Sequence, residues 1–140
     1  MRNLLVPIDG SVIAIRALRY AIELARNCNE TRIILLNVQS NLERWYPHGL
    51  LNAEAMEHLR QEGKNEAAEA LAVLDQSKVL YDFEVVFGHP AEVIVREAKD
   101  RHCESIVMGT RGLSDVESVF LGSTAYRVIE LAEMPVVLVK

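Results

Sequence analysis

Residues 109 to 123 read GTRGLSDVESVFLGS: Gly109 and Gly112 three positions apart, nine residues more, then Gly122-Ser123 opening a stretch of helical periodicity. The apolar run Ser105 to Met108 stands directly before it, so the local order is strand, glycine loop, helix. Glycines let backbone approach an anion closely and supply positive φ. A helix opening at Ser123 would turn its unpaired N–H groups and positive dipole end outward. Gly109, Gly112, Gly122 and Ser123 therefore read as a phosphate cradle, with a nucleotide as the natural ligand.

Working outward, apolar runs recur at Leu4 to Ile8, Ile33 to Val38, Phe83 to Phe87 and Val136 to Val139. They are continuous rather than alternating, which suits strands buried on both faces. Helical stripes lie between them: Ala14, Ala17, Leu18, Ala21 and Ala25; Ala91, Ile94, Val95 and Ala98; Ala125, Val128, Ile129 and Ala132. Pro90 suits a first helical turn and Pro135 a stop after a helix. Leu50 to Leu74 is looser, with Met56, Leu59, Ala67, Ala70, Leu71 and Leu74 on one side and Gly63 inside, and is expected to form one long helix. Gln39 to Gly49, carrying Trp45, Tyr46, Pro47 and His48, is long enough to be a flap over a site.

This alternation predicts an α/β fold: a single doubly wound five-stranded parallel sheet, Rossmann-like, with helices on both faces and right-handed crossovers. Asp9-Gly10-Ser11 follows the first strand and Gly109 to Gly112 the fourth. Ligands of open α/β sheets bind beyond strand carboxyl ends where the strand order reverses. If both loops serve one ligand, the first and fourth strands are neighbours and the order is 3-2-1-4-5.

The 140 residues fit a single domain, with 50% hydrophobic and 25% charged residues. No apolar stretch reaches the roughly eighteen residues of a membrane span, and Met1-Arg2-Asn3 leads straight into strand-like sequence, so a cytoplasmic protein without membrane insertion is expected. The net charge of −5 argues against a nucleic-acid partner, which calls for a basic surface. Cys28 and Cys103 have neither the number nor the spacing of a disulfide framework or metal knuckle.

The spacing Gly-x2-Gly-x9-Gly-Ser after an apolar strand is similar to the signature of the nucleotide-binding universal stress proteins. VPIDGS at residues 6 to 11, LLNV at 35 to 38, GHPAEVIV at 88 to 95 and MPVVLV at 134 to 139 resemble that family's blocks in order. The resemblance implies one universal stress protein domain over residues 1 to 140 and the strand order already given. It implies ATP, or AMP or ADP, as ligand. It assigns Gly112, Gly122, Ser123 and Thr124 to the phosphates, and Met108 with Gly109 to the ribose and base. Thr124 departs from the apolar residue common there, though its backbone N–H would still serve. Pro7 and Val38 would wall the adenine, with the backbone at Val38 reading its edge.

Asp9 can be read from the residues themselves. Its carboxylate would accept from ribose hydroxyls, or would make an Asx-turn or cap for the first helix, and the two roles are compatible. Asp115 and Glu117 stand where relatives often carry basic residues, with Arg111 the cation nearby. At an effective dielectric near 20, a carboxylate about 4 Å from a phosphate charge costs about 4 kcal/mol. Mg2+ bridging carboxylate and phosphates is one reading of the pair; a solvated acidic face is the other. His48, His58, His89 and His102 have no ligand spacing, so no metal site is expected.

No G-x-S-x-G elbow, G-x-x-x-x-G-K-[ST] loop or kinase motif set is present, and no catalytic residue is assigned. A phosphatase built on Asp9 would want a second aspartate two residues on, where Ser11 stands. The expectation is a cytosolic stress-response sensor or regulator that binds an adenine nucleotide and answers to an unknown protein partner. The alternatives are a relative that has lost the nucleotide and serves as a dimeric adaptor, or a slow ATPase. Val136 to Val139 at a sheet edge would leave unpaired backbone groups, which predicts a homodimer joined along the fifth strand, as the resemblance also implies.

Overall fold

The computed structural model describes residues 1–40, 52–112 and 121–140. Its elements are β1 (Arg2–Pro7), α1 (Val12–Asn27), β2 (Thr31–Gln39), α2 (Ala53–Glu66), α3 (Ala68–Ser77), β3 (Leu80–Phe87), α4 (Pro90–Asp100), β4 (Cys103–Gly109), α5 (Ser123–Leu131) and β5 (Val136–Val139). All strand pairs are parallel and the order is β3-β2-β1-β4-β5, as the two loops required.

The pleat sends alternate residues of the central strands to opposite faces. Leu4, Val6 and Ile8 of β1 and its following turn, Ile33 and Leu35 of β2 and Val107 of β4 pack under α1 and α3. Leu5, Ile34, Leu36, Ile106 and Met108 pack under α4 and α5. Continuous apolar runs are therefore needed only where a strand is covered twice. The outer runs, Phe83 to Phe87 and Val136 to Val139, were expected to be buried on both faces and are not. Leu80, Asp82 and Glu84 are exposed, and β5 is half-buried throughout, because each of these strands closes an edge of the sheet.

The α1 stripe is buried as expected, and Ser11 caps the helix by accepting the Ala14 N–H at 3.1 Å. Pro90 opens α4 and Pro135 precedes β5. The α5 stripe holds only in part. Ala125 and Val128 are buried, but Ile129 is 46% exposed beside Tyr126, and Ala132 falls at the C-cap. On this short helix, packed on one side against α4, Tyr126 and Ile129 lie three residues apart on the outer face.

The stretch expected as one long helix divides into α2 and α3 at Ala67 (φ −90°, ψ −2°). The two halves have different partners. α2 packs on β2 and β3, whereas α3 packs on α1, and fully buried Ala67 is the pivot. Gly63 lies in α2 because a Cβ there would meet both Val85 methyls at 2.7 Å and Asn37 Oδ1 at 2.8 Å. Its absence lets the helix settle on the sheet. Leu50, and Trp45, Tyr46, Pro47 and His48 of the expected flap, lie outside the described residues, as do Asp115 and Glu117. Among the described residues no helix is long and apolar enough to cross a membrane.

Candidate functional site

The carboxyl ends of β1 and β4 lie side by side, and the chain leaves each through a tight turn. At β4, Thr110 donates its N–H to Val139 O at 2.9 Å and accepts the Gly122 N–H on its own carbonyl at 2.6 Å. Those two bonds tie the far end of the glycine loop back to its near end and set the start of α5 against the sheet. Gly122 is the N-cap and has no side chain to satisfy the first turn, which also contains no acidic residue. The first helical bond runs from Tyr126 N–H to Gly122 O, so the amides of Ser123, Thr124 and Ala125 precede the intrahelical ladder and carry the positive end of the helix dipole.

The glycines earn their places differently from the expectation. Gly109 and Gly122 do not use positive φ; Gly122 has φ −71° and ψ 160°, open to any residue. Gly109 is a matter of close approach, since a Cβ would lie 2.4 Å from Ile13 Cγ2 in the first turn of α1. Positive φ is used instead by Gly10 (85°) in the β1–α1 turn and by Gly88 (138°) ahead of α4. In the first of these turns Asp9 Oδ1 accepts the Ser11 N–H at 2.9 Å, an Asx-turn, while the capping role belongs to Ser11.

Between these turns lies a cavity of about 390 Å³, within the usual range for small-molecule sites. Of the residues singled out in the sequence, Pro7, Asp9, Val38, Met108, Gly109, Gly112, Ser123 and Thr124 all line it. Gly122 does not line it and acts one residue behind, as the cap. Pro7, Leu36, Val38 and Met108 come from the sheet face that packs under α4, and Pro90 and Ile94 of α4 complete an apolar slot there. Arg111 lies on the wall beside Gly112, and Asp9 and Glu66 bring carboxylates.

Several lining residues escaped the sequence reading. Ile94 belonged to a helical stripe and Pro90 to a helix start, and nothing local marks either as facing a cavity. Glu66 has no sequence signal at all, and Gln39, read only as the start of the expected flap, is the last residue of β2; α2 brings the two together across the fold, where Asn37 Nδ2 and Gln39 Nε2 both donate to Glu66 Oε2, at 2.9 and 3.3 Å. Among the described residues no group of three or more His, Cys, Asp or Glu could hold a metal ion. Both cysteines are free; Cys103 is buried, and desolvation pushes its thiol up to about 11.

A sequence model of the Universal stress protein family matches residues 1–140. Among curated relatives, the universal stress protein MJ0531 of Methanocaldococcus jannaschii is 31% identical over 144 residues, spanning 99% of this chain and 82% of its own. Among solved structures, protein MJ0577 of the same organism superposes with a TM-score of 0.85 at 27% identity, over 99% of this chain and 95% of the other. The Archaeoglobus fulgidus universal stress protein in complex with dAMP shares the fold at a TM-score of 0.72 and 24% identity, over 100% and 98% of the two chains. A family match along the whole chain, on a sheet with the strand order expected from the loops, identifies this protein as a member of the universal stress protein family.

Proposed function

We propose that the protein binds an adenine nucleotide (ATP, ADP or AMP) at the carboxyl edge of its sheet and works as a cytosolic stress-response sensor or regulator. The observation that carries this reading is the meeting of two unlike surfaces in one cavity. One end is the apolar slot of Pro7, Leu36, Val38 and Met108; the other is the start of α5, whose N-cap Gly122 has no side chain to offer it, with Gly112 and Arg111 on the same wall. A flat apolar base suits the first, and phosphate oxygens suit the amides of Ser123 and Thr124. Asp9 lines the same cavity, and its carboxylate would accept from sugar hydroxyls. A protein of the same fold takes dAMP.

Mg2+ would enter with the phosphates, on their oxygens and at most one or two carboxylates, since no described cluster could hold it alone. The bound nucleotide would act by favouring one conformation, one protein partner, or the homodimer along β5, which requires different affinities for the two states.

The test has two arms. Small molecules released from the purified protein are identified by mass spectrometry, and wild type is compared with Gly122→Val by calorimetry. An adenine nucleotide is expected in the first. In the second, valine tolerates φ −71° and ψ 160°, so the fold should stand. Its branched side chain would crowd the amide row, and losing one or two charge-assisted hydrogen bonds of about 1.5 to 3 kcal/mol each should weaken binding by tenfold or more. A folded wild type that releases no nucleotide and binds none would refute the reading and leave the dimeric adaptor.

A further inference from the structure

β2 presents two different surfaces at its carboxyl end. Leu36 and Val38 line the apolar slot on the α4 side, while Asn37 and Gln39 point to the other side, beneath α2, with Asn37 fully buried and Gln39 9% exposed. Buried amides require partners, and these two find them in one network. Asn37 Nδ2 donates to Ile8 O at 3.0 Å and to Glu66 Oε2 at 2.9 Å. Gln39 Nε2 donates to Asn37 Oδ1 at 2.8 Å and to Glu66 Oε2 at 3.3 Å.

Three of these four bonds end on an oxygen that can only accept, a carbonyl or a carboxylate. That fixes which way Asn37 faces, and Gln39 with it, and both hydrogens of each amide are spent. The network can therefore offer the cavity acceptors only. Glu66 Oε1 and Gln39 Oε1 take no hydrogen bond among the described residues, and both residues line the cavity.

The position of Glu66 narrows what it would meet. Gly10, with φ 85°, lets the last turn of α2 rest on the β1–α1 turn: a Cβ at Gly10 would lie 3.5 Å from Glu66 O and 4.0 Å from its Cα. Glu66 thus rests against the turn that carries Asp9 and meets Asn37 on the sheet face opposite the apolar slot, which α4 and α5 cover. A base in the slot and phosphates at α5 leave the sugar to cross the edge between them. Sugar hydroxyls are donors, and two carboxylates there repel phosphate and so favour that orientation.

On the nucleotide reading above, we propose that Glu66 is a sugar-selecting residue. Its carboxylate, held by Asn37 and Gln39, accepts a hydrogen bond from a ribose hydroxyl and gives the protein a preference for ribonucleotides over deoxyribonucleotides. Calorimetry with AMP, 2′-deoxy-AMP and 3′-deoxy-AMP on wild type, Glu66→Ala and Glu66→Gln tests it. Wild type should favour AMP by about tenfold or more over the analogue lacking the contacted hydroxyl, the scale of one hydrogen bond to a charged acceptor. Glu66→Ala should weaken AMP by a similar factor and leave that analogue unchanged. Glu66→Gln, whose amide oxygen still accepts from Asn37 and Gln39 but whose charge is gone, should fall between and guards against a folding defect in the alanine variant. An unchanged ratio in both variants, or a wild type indifferent to the sugar, overturns the role of Glu66 alone. A wild type that binds no nucleotide overturns the proposed function and this inference together.

Discussion

Gly63→Ala sets two well-calibrated effects against each other. Inside a helix, alanine is favoured over glycine by roughly 0.8–1.0 kcal/mol, so propensity alone predicts a more stable protein. The surroundings reverse the sign. The new methyl would lie 2.7 Å from Val85 Cγ1 and Cγ2 and 2.8 Å from Asn37 Oδ1, against an optimal carbon–carbon separation of about 3.5–4.0 Å. Val85 is half-buried on the edge strand but stiff at χ1. Asn37 is fully buried, and its amide is held by Ile8, Gln39 and Glu66. Overpacking of this kind costs about 1–3 kcal/mol, and loosening the network adds about 1. After the propensity gain, the net is a loss of about 1–3 kcal/mol. At roughly 3 to 5 °C per kcal/mol for a chain of this length, the melting temperature should fall by about 3–15 °C. Urea titration should show a lower midpoint with an unchanged slope. A variant as stable as wild type, or more so, would mean that α2 does not lie on the sheet as described and that the Asn37 network is not rigid.

The Cys103 thiol is raised from 9.0 to about 11, chiefly by desolvation. The folded protein then keeps a proton that the unfolded chain gives up, so this stabilisation is complete below about pH 9 and is lost as pH rises towards 11, by about 2 to 3 kcal/mol in all. Denaturation midpoints of wild type and Cys103→Ala at pH 8 and 10.5 should converge at the higher pH, and a constant gap would contradict the burial of the thiol. For the proposed homodimer the register chooses the probe: Ile106 and Thr110 donate to Pro135 O and Val139 O, so odd-numbered residues of β5 face β4 and Val136 and Leu138 face outward. Val136→Pro should shift light scattering towards monomer with the sheet intact, and a wild-type monomer mass at all concentrations would remove the proposal.

What was legible in the sequence was periodic or local. The runs at β1, β2 and β4 announced strands covered twice, the α1 stripe announced a buried helix face, and Pro90 and the Gly122-Ser123 pair marked helix starts, because each signal comes from residues adjacent in the chain. Two glycine-bearing turns and the rule for ligand position were enough to order the strands. Of the cavity residues, Asp9, Gly109, Gly112 and Ser123 were legible for the same reason, whereas Pro7, Val38, Met108 and Thr124 came only with the family resemblance.

Tertiary structure alone decided what depends on how elements lean on one another. Gly109 reads as a loop glycine, yet it is required by Ile13 at the head of α1. Ile129 fits a buried stripe and is exposed, because a helix with one packed side leaves its other face to solvent. The break at Ala67 follows from the separate partners of α2 and α3. Glu66 meets Asn37 across 29 residues only because α2 settles on β2 at Gly63 and on the β1–α1 turn at Gly10. A side chain's periodicity can say that it faces outward from its own helix; which other chemistry it meets there is set by packing between elements, and no spacing within one segment records it.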